Sequence, residues 1–161
     1  KESDNKSGIV FIGNTDKNNF EVDNDLVNLM HSKSRDFVED KIFFVEKTNN
    51  IEQYYQAVDI YILPSSREGL PNALLEAMSC ALPVISTRLE GVTDWILNHK
   101  VNGMMYDYGD IDNLKLLLEN LLQDDNLCKC LGLNARKTIK DNFEISATTE
   151  NIYDIYKDCM C

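Results

Sequence analysis

Two carboxylates, Glu68 and Glu76, stand eight positions apart around the run Gly69-Leu-Pro-Asn-Ala-Leu-Leu75. Spacing of this kind arises readily by chance in an acidic chain, so its meaning depends on local context. Pro71 suits the first turn of a helix, where its missing N–H costs nothing, and Gly69 allows a close backbone approach just ahead. The run therefore predicts a helix starting near Leu70, with Ala73, Leu74, Ala77 and Met78 on an apolar face and Asn72, Glu76 and Ser79 on another. A helix N-terminus carries about half a positive charge and free N–H groups, so it can hold a diphosphate without basic side chains. Carboxylates to either side would accept from sugar hydroxyls. The neighbours of Glu76 are too apolar and small for a solvated face, so its carboxylate is expected to need donors. These are either ligand hydroxyls or a structural partner, the backbone or Arg67.

Stepping outward, Asp59-Ile-Tyr-Ile-Leu63 reads as a strand and places the loop Pro64–Gly69 at its carboxyl end, where open α/β sheets bind ligands. Glycine-bounded or short apolar runs at Gly8–Gly13, Lys41–Val45, Pro83–Ser86 and Gly103–Tyr106 supply further strands. The stretches between carry helical spacing, with Asn50 and Gln53 forming a capping-box start ahead of Tyr54, Tyr55 and Ala57. Alternation from Gly8 to Tyr106 predicts an α/β fold. Its sheet is Rossmann-like, doubly wound and parallel, with helices on both faces. C-terminal helices follow, one striped with Leu114, Leu117, Leu118, Leu121 and Leu122, and the last near Ile145–Lys157. Asn14–Asn24 reads as a long polar surface loop.

One domain over 1–161 is the expected organisation, since 161 residues suffice for a single core. A net charge of −11 repels phosphate backbones, which argues against a nucleic-acid partner. No apolar run approaches a membrane span and the polar start has no signal-peptide core, so the expected setting is cytoplasmic, with no integral membrane segment. The odd set Cys80, Cys128, Cys130, Cys159 and Cys161 reads as free thiols. Its Cys-x-Cys pairs fall in helical segments and point apart, so no metal site is expected. His31 and His99 read as surface or capping residues. Trp95 with Ile96 reads as core packing.

The string Glu68-Gly-Leu-Pro-Asn-Ala-Leu-Leu-Glu76, followed by Ala77-Met78, resembles the E-x7-E signature of family 4 retaining glycosyltransferases. The likeness extends from Ile42–Ile51 through Ala57-Val-Asp-Ile-Tyr-Ile-Leu-Pro-Ser65 to Gly91-Val-Thr-Asp-Trp-Ile96, Asn102-Gly103 and Phe143–Tyr156. It implies the donor-binding C-terminal half of a GT-B fold, whose acceptor-binding N-terminal domain is absent. By the resemblance, Glu76 binds the donor's ribose and Glu68, the position counted as catalytic, faces hydroxyls of the transferred sugar. Neither is a general base. Backbone groups of Gly69, Leu70, Pro71 and Asn72 contact sugar and diphosphate, Glu46 and Lys47 line the base pocket, and Asp94 lines the site.

The family implies a nucleotide-sugar donor, a glycan or lipid acceptor reached through the missing domain, a front-face retaining reaction with no metal or other cofactor, and a role in polysaccharide biosynthesis. It also allows a peripheral place at the inner membrane face. Two departures stand out. No convincing arginine and lysine pair precedes the motif to neutralise the diphosphate, so the phosphate site is expected to be incomplete, and without the acceptor domain's catalytic groups this chain alone is expected to be inactive. Ala81 also stands where a glycine often ends the helix, at a cost if φ is positive. The alternatives are half of a nucleotide-sugar epimerase of the same fold, or a noncatalytic nucleotide-sugar-binding domain.

Overall fold

The computed structural model describes residues 7–13, 24–34 and 41–160. They fall into two compact units, divided between Ile51 and Glu52. In the first, β1 (Ile9–Ile12) and β2 (Ile42–Val45) pair in parallel, Ile9 opposite Ile42 and Ile12 opposite Val45. The crossover between them carries α1 (Asn24–Ser34), as parallel pairing requires. Phe11 stacks on Phe44, and exposed His31 of α1 lies against the Phe44 ring at 4.2 Å between centroids. Most of the polar stretch 14–24 lies outside the described residues, and its last residue, Asn24, opens α1.

The second unit has three parallel strands in the order β3 (Tyr61–Leu63), β4 (Val84–Thr87), β5 (Met104–Tyr106). Central β4 is buried at all four residues, as a β-branched strand covered on both faces should be. Helix α2 (Ile51–Ala57), which follows Asn50 directly, leads into β3, and α3 (Asn72–Ser79) connects β3 to β4. The short α4 (Thr93–Ile96) connects β4 to β5. Each strand-to-strand step is thus a helical crossover, as the alternation predicts.

Beyond β5 come α5 (Ile111–Gln123), α6 (Asp125–Asn142) and α7 (Ile145–Cys159). Asp110 caps α5 by accepting from Asn113 N–H, and Asp124 caps α6 by accepting from the N–H groups of Asn126 and Leu127. Leu117, Leu121 and Leu131 of α5 and α6 close over Ile85, Met104 and Tyr106 of the sheet, with Leu114 and Leu118 at the margin. Leu122 departs from the expected stripe and is 48% exposed, because α5 turns only Leu117 and Leu121 fully inward. Cys80, Cys128, Cys130 and Cys159 are free thiols.

The turn after α3 matters for how the helices pack. Ala81 adopts φ 60°, the left-handed conformation that favours glycine, and its carbonyl faces Gly132 of α6. A Cβ at Gly132 would fall far inside the 3.0 Å that real Cβ atoms keep from that oxygen. Gly132 thereby sets how closely α6 lies on α3.

Candidate functional site

Helix α3 begins two residues later than the sequence predicts. Pro71 is the residue ahead of it, with φ −77° and ψ 77°, and Asn72 is its first residue. Pro71 still does what its chemistry allows, offering its carbonyl to the N–H groups of Leu74 and Leu75 without having an N–H of its own. No side chain caps this end, and Asn72 N–H turns back to Leu70 O. The helix therefore starts at the carboxyl end of β3 with its first-turn dipole open to a ligand. Leu74, Ala77 and Met78 face the core, while Asn72, Glu76 and Ser79 are exposed, which is the partition read from the sequence.

Glu76 corrects the expectation of a carboxylate trapped among apolar neighbours. It is exposed, and its partner is neither backbone nor Arg67 but the Tyr55 hydroxyl, which donates to Oε2 at 3.1 Å. Tyr55 is only 7% exposed and its hydroxyl also lies 3.3 Å from Ala73 O, so α2 holds the α3 carboxylate from below. Burial, followed by the charge of neighbouring Tyr61 and the hydrogen bond to Glu76, pushes the Tyr55 pKa far up, so it stays a donor.

Glu68 is tethered in the same way. Ser65 Oγ donates to its Oε1 at 2.6 Å within the β3–α3 loop. Among the described residues each carboxylate thus has one oxygen held by a protein hydroxyl and one with no hydrogen-bond partner. Both carboxylates act on Tyr61. Its hydroxyl pKa is pushed up to about 12, first by burial and then by the charges of both Glu68 and Glu76. Gly69 and Leu70 are exposed at the same loop, so five of the six motif residues named from sequence present themselves to solvent or are half-buried, and Pro71 lies beneath them.

The other expected residues fall elsewhere. Glu46 and Lys47 follow β2 in the first unit, both exposed. Asp94 sits in the first turn of α4 and lines a cavity of about 420 Å³ with Arg88, Trp95, Asn98 and His99, which includes neither glutamate. Trp95 is 76% exposed rather than core, because the four-residue α4 turns Thr93 and Ile96 inward and leaves Trp95 in edge contact with the Phe143 ring. His99 is half-buried and caps no helix, serving the edge of β5 instead. Its Nδ1 accepts from Met105 N–H at 2.9 Å, on the side of β5 away from β4. Tyr55 and Thr87 escaped sequence reading, since nothing local marks a hydroxyl whose partner lies 21 or 22 residues away, and Ser65 escaped it because a serine three residues before a glutamate is unremarkable by itself.

With that geometry in place, residues 4–138 match the family model described as "Glycosyl transferases group 1". This chain belongs to the group 1 glycosyltransferases. A curated relative, N-acetyl-alpha-D-glucosaminyl L-malate synthase of Bacillus anthracis, is 28% identical over 123 residues, which cover 76% of this chain and 32% of that protein. The group 1 chain accordingly spans roughly a third of the length of such relatives. Among solved structures, the C-terminal domain of a glycosyl transferase group 1 family protein (LpcC) from Francisella tularensis superposes with a TM-score of 0.68 at 26% identity, covering 75% of this chain and 64% of that one. Anabaena Alr3699/HepE in complex with UDP superposes with a TM-score of 0.84 at 19% identity, over 94% of this chain and 41% of that chain. The fold is that of a GT-B half.

Proposed function

We propose that this group 1 chain is the donor-binding part of a retaining glycosyltransferase that moves a sugar from a nucleotide-sugar to a glycan, lipid or other acceptor. One observation carries the reading. Two carboxylates, each tethered at one oxygen, flank a helix N-terminus that no side chain caps, at the carboxyl end of a parallel strand. The helix end suits a diphosphate, the open oxygen of Glu76 a ribose hydroxyl, and that of Glu68 a hydroxyl of the transferred sugar. That HepE, which shares the fold, was crystallised with UDP supports the nucleotide part.

In this reading backbone groups of Gly69–Asn72 contact the donor's sugar and diphosphate. The protein's contribution is positioning and stabilisation of the departing diphosphate, without a metal. The acceptor is held by a further domain in the intact protein, which works in the cytoplasm and can sit peripherally at a membrane. Among the described residues no helix is long and apolar enough to cross one. The epimerase reading wants an acid/base histidine at the sugar. His99 has committed Nδ1 to Met105 and lines a cavity without either glutamate.

The test is transfer by the intact protein from a panel of nucleotide-sugars, with the product's anomeric proton coupling read by NMR and the assay repeated in EDTA. Retained configuration and EDTA-insensitive turnover are expected. An inverted product, or no transfer or donor hydrolysis with any donor, would overturn the reading.

A further inference from the structure

Two threonines at the carboxyl end of β4 and the start of α4 are completely buried, although nothing in a hydrophobic core calls for a hydroxyl there. Each uses its hydroxyl on a carbonyl. Thr93 Oγ1 donates to Thr87 O at 2.7 Å and accepts from Leu89 N–H at 2.7 Å, so it fixes the turn that follows β4. Thr87 Oγ1 in turn donates to Ser65 O at 2.5 Å, across 22 residues of sequence, and Ser65 Oγ donates to Glu68 Oε1. The series runs without a break from a buried strand end to one carboxylate of the site. Glu76 has no part in it, being held by Tyr55 from α2.

From this division we infer that Thr87 and Ser65 are positioning residues for the sugar-recognising carboxylate alone, so that donor affinity divides into a nucleotide part anchored through Tyr55 and a sugar part anchored through the β4 hydroxyls. The inference rests on the donor-binding reading given above. Physically, the β3–α3 loop has few ways to hold Glu68 at a fixed distance from the helix end. Its residues Pro64, Ser66, Arg67, Gly69 and Leu70 are exposed, and the half-buried Ser65 is the loop residue pinned to β4. Without the Thr87 hydroxyl, Ser65 O loses its donor, Ser65 is free to shift, and Glu68 swings with it. The distance from Glu68 to the helix end decides whether one carboxylate oxygen meets a sugar hydroxyl while the diphosphate is seated.

The experiment measures calorimetric Kd values of this chain for UDP, GDP and the sugar conjugate of whichever diphosphate it binds, in parent, Thr87→Val, Thr87→Ser and Ser65→Ala forms, each checked by thermal unfolding. Valine matches threonine in shape without the hydroxyl, serine keeps the hydroxyl, and Ser65→Ala spares the buried strand should Thr87→Val fail to fold. Thr87→Val and Ser65→Ala should keep diphosphate Kd within twofold. Their ratio of sugar-conjugate to diphosphate Kd should rise roughly fivefold, the worth of one good hydrogen bond. Thr87→Ser should retain the parent ratio. An unchanged ratio in the valine and alanine variants, or equal weakening of both ligands, overturns the inference while leaving the donor site standing. Failure of the parent to bind any of these ligands overturns the donor reading itself, and the inference with it.

Discussion

Replacing Gly132 by alanine pits two effects against each other in one helix. Gly132 lies in the interior of α6, and by propensity alone a glycine-to-alanine change there should stabilise by about 1 kcal/mol. The structure opposes this. The added Cβ would sit 3.0 Å from the Ala81 carbonyl carbon and inside the contact distance of its oxygen, and the obstacle is backbone that has no rotamer to change. Either α6 retreats from α3 or the Ala81 turn, already at φ 60°, gives way. Overpacking costs about 1–3 kcal/mol, and a Cβ this deep against backbone belongs in the upper part of that range, about 2–3 kcal/mol, so after the propensity gain the balance is a loss of about 1–2 kcal/mol. For a chain of this length that is a fall of roughly 3–6 °C in Tm. Urea unfolding followed by far-UV circular dichroism gives the number, with Leu133→Ala on the exposed face of the same helix as control. A Gly132→Ala protein as stable as the parent or more so would show that α6 does not approach Ala81 as described.

Other changes read the same packing from different sides. Ala81→Gly relieves the left-handed strain and should stabilise by about 0.5–1 kcal/mol, after subtracting the greater freedom of glycine in the unfolded chain; a loss of stability in the same urea experiment would argue against φ 60°. Trp95→Ala should cost less than about 1.5 kcal/mol, its edge contact with Phe143, whereas a core tryptophan would cost about 3–5 kcal/mol. His99 sets a pH dependence. Burial first, then the charges of Lys100 and Arg88, lower its pKa below the ordinary 6.5, so the unfolded chain takes up the proton more readily. Its contribution is fully present above about pH 6.5 and is lost as pH falls toward the folded value. Parent stability should therefore drop more between pH 7 and pH 5 than that of His99→Gln, and parallel curves would refute the assignment.

Periodicity and turn chemistry made most of the fold legible. The alternation of apolar runs with capped helical stretches located the five strands of the described residues within one or two residues at each end, because a buried parallel strand and an amphipathic helix are written in contiguous sequence. The motif's helix and its two faces were legible for the same reason. Other features depended on partners far along the chain. Glu76 was misjudged because neighbours in sequence do not show that Tyr55 lies beneath it. Trp95 was misjudged because hydrophobicity suggests burial but the shortness of α4 decides which residues achieve it. The role of Gly132 depends on a carbonyl 51 positions back, and that of Thr87 on a loop 22 residues back. Ala81 is the exception, since the family resemblance, in which a glycine often ends that helix, raised the question of a positive φ.

The most direct test of a nucleotide-sugar site between Glu68 and Glu76 is calorimetric titration of this chain and of folded Glu76→Ala with UDP and GDP. Saturable binding by the parent to one of them, weakened at least tenfold in the variant, is the predicted result, because the substitution removes the α3 carboxylate proposed to accept from the ribose and leaves the helix end intact. Equal affinity in the two proteins would contradict the assignment of Glu76, and absence of binding by the parent up to millimolar ligand would contradict the site.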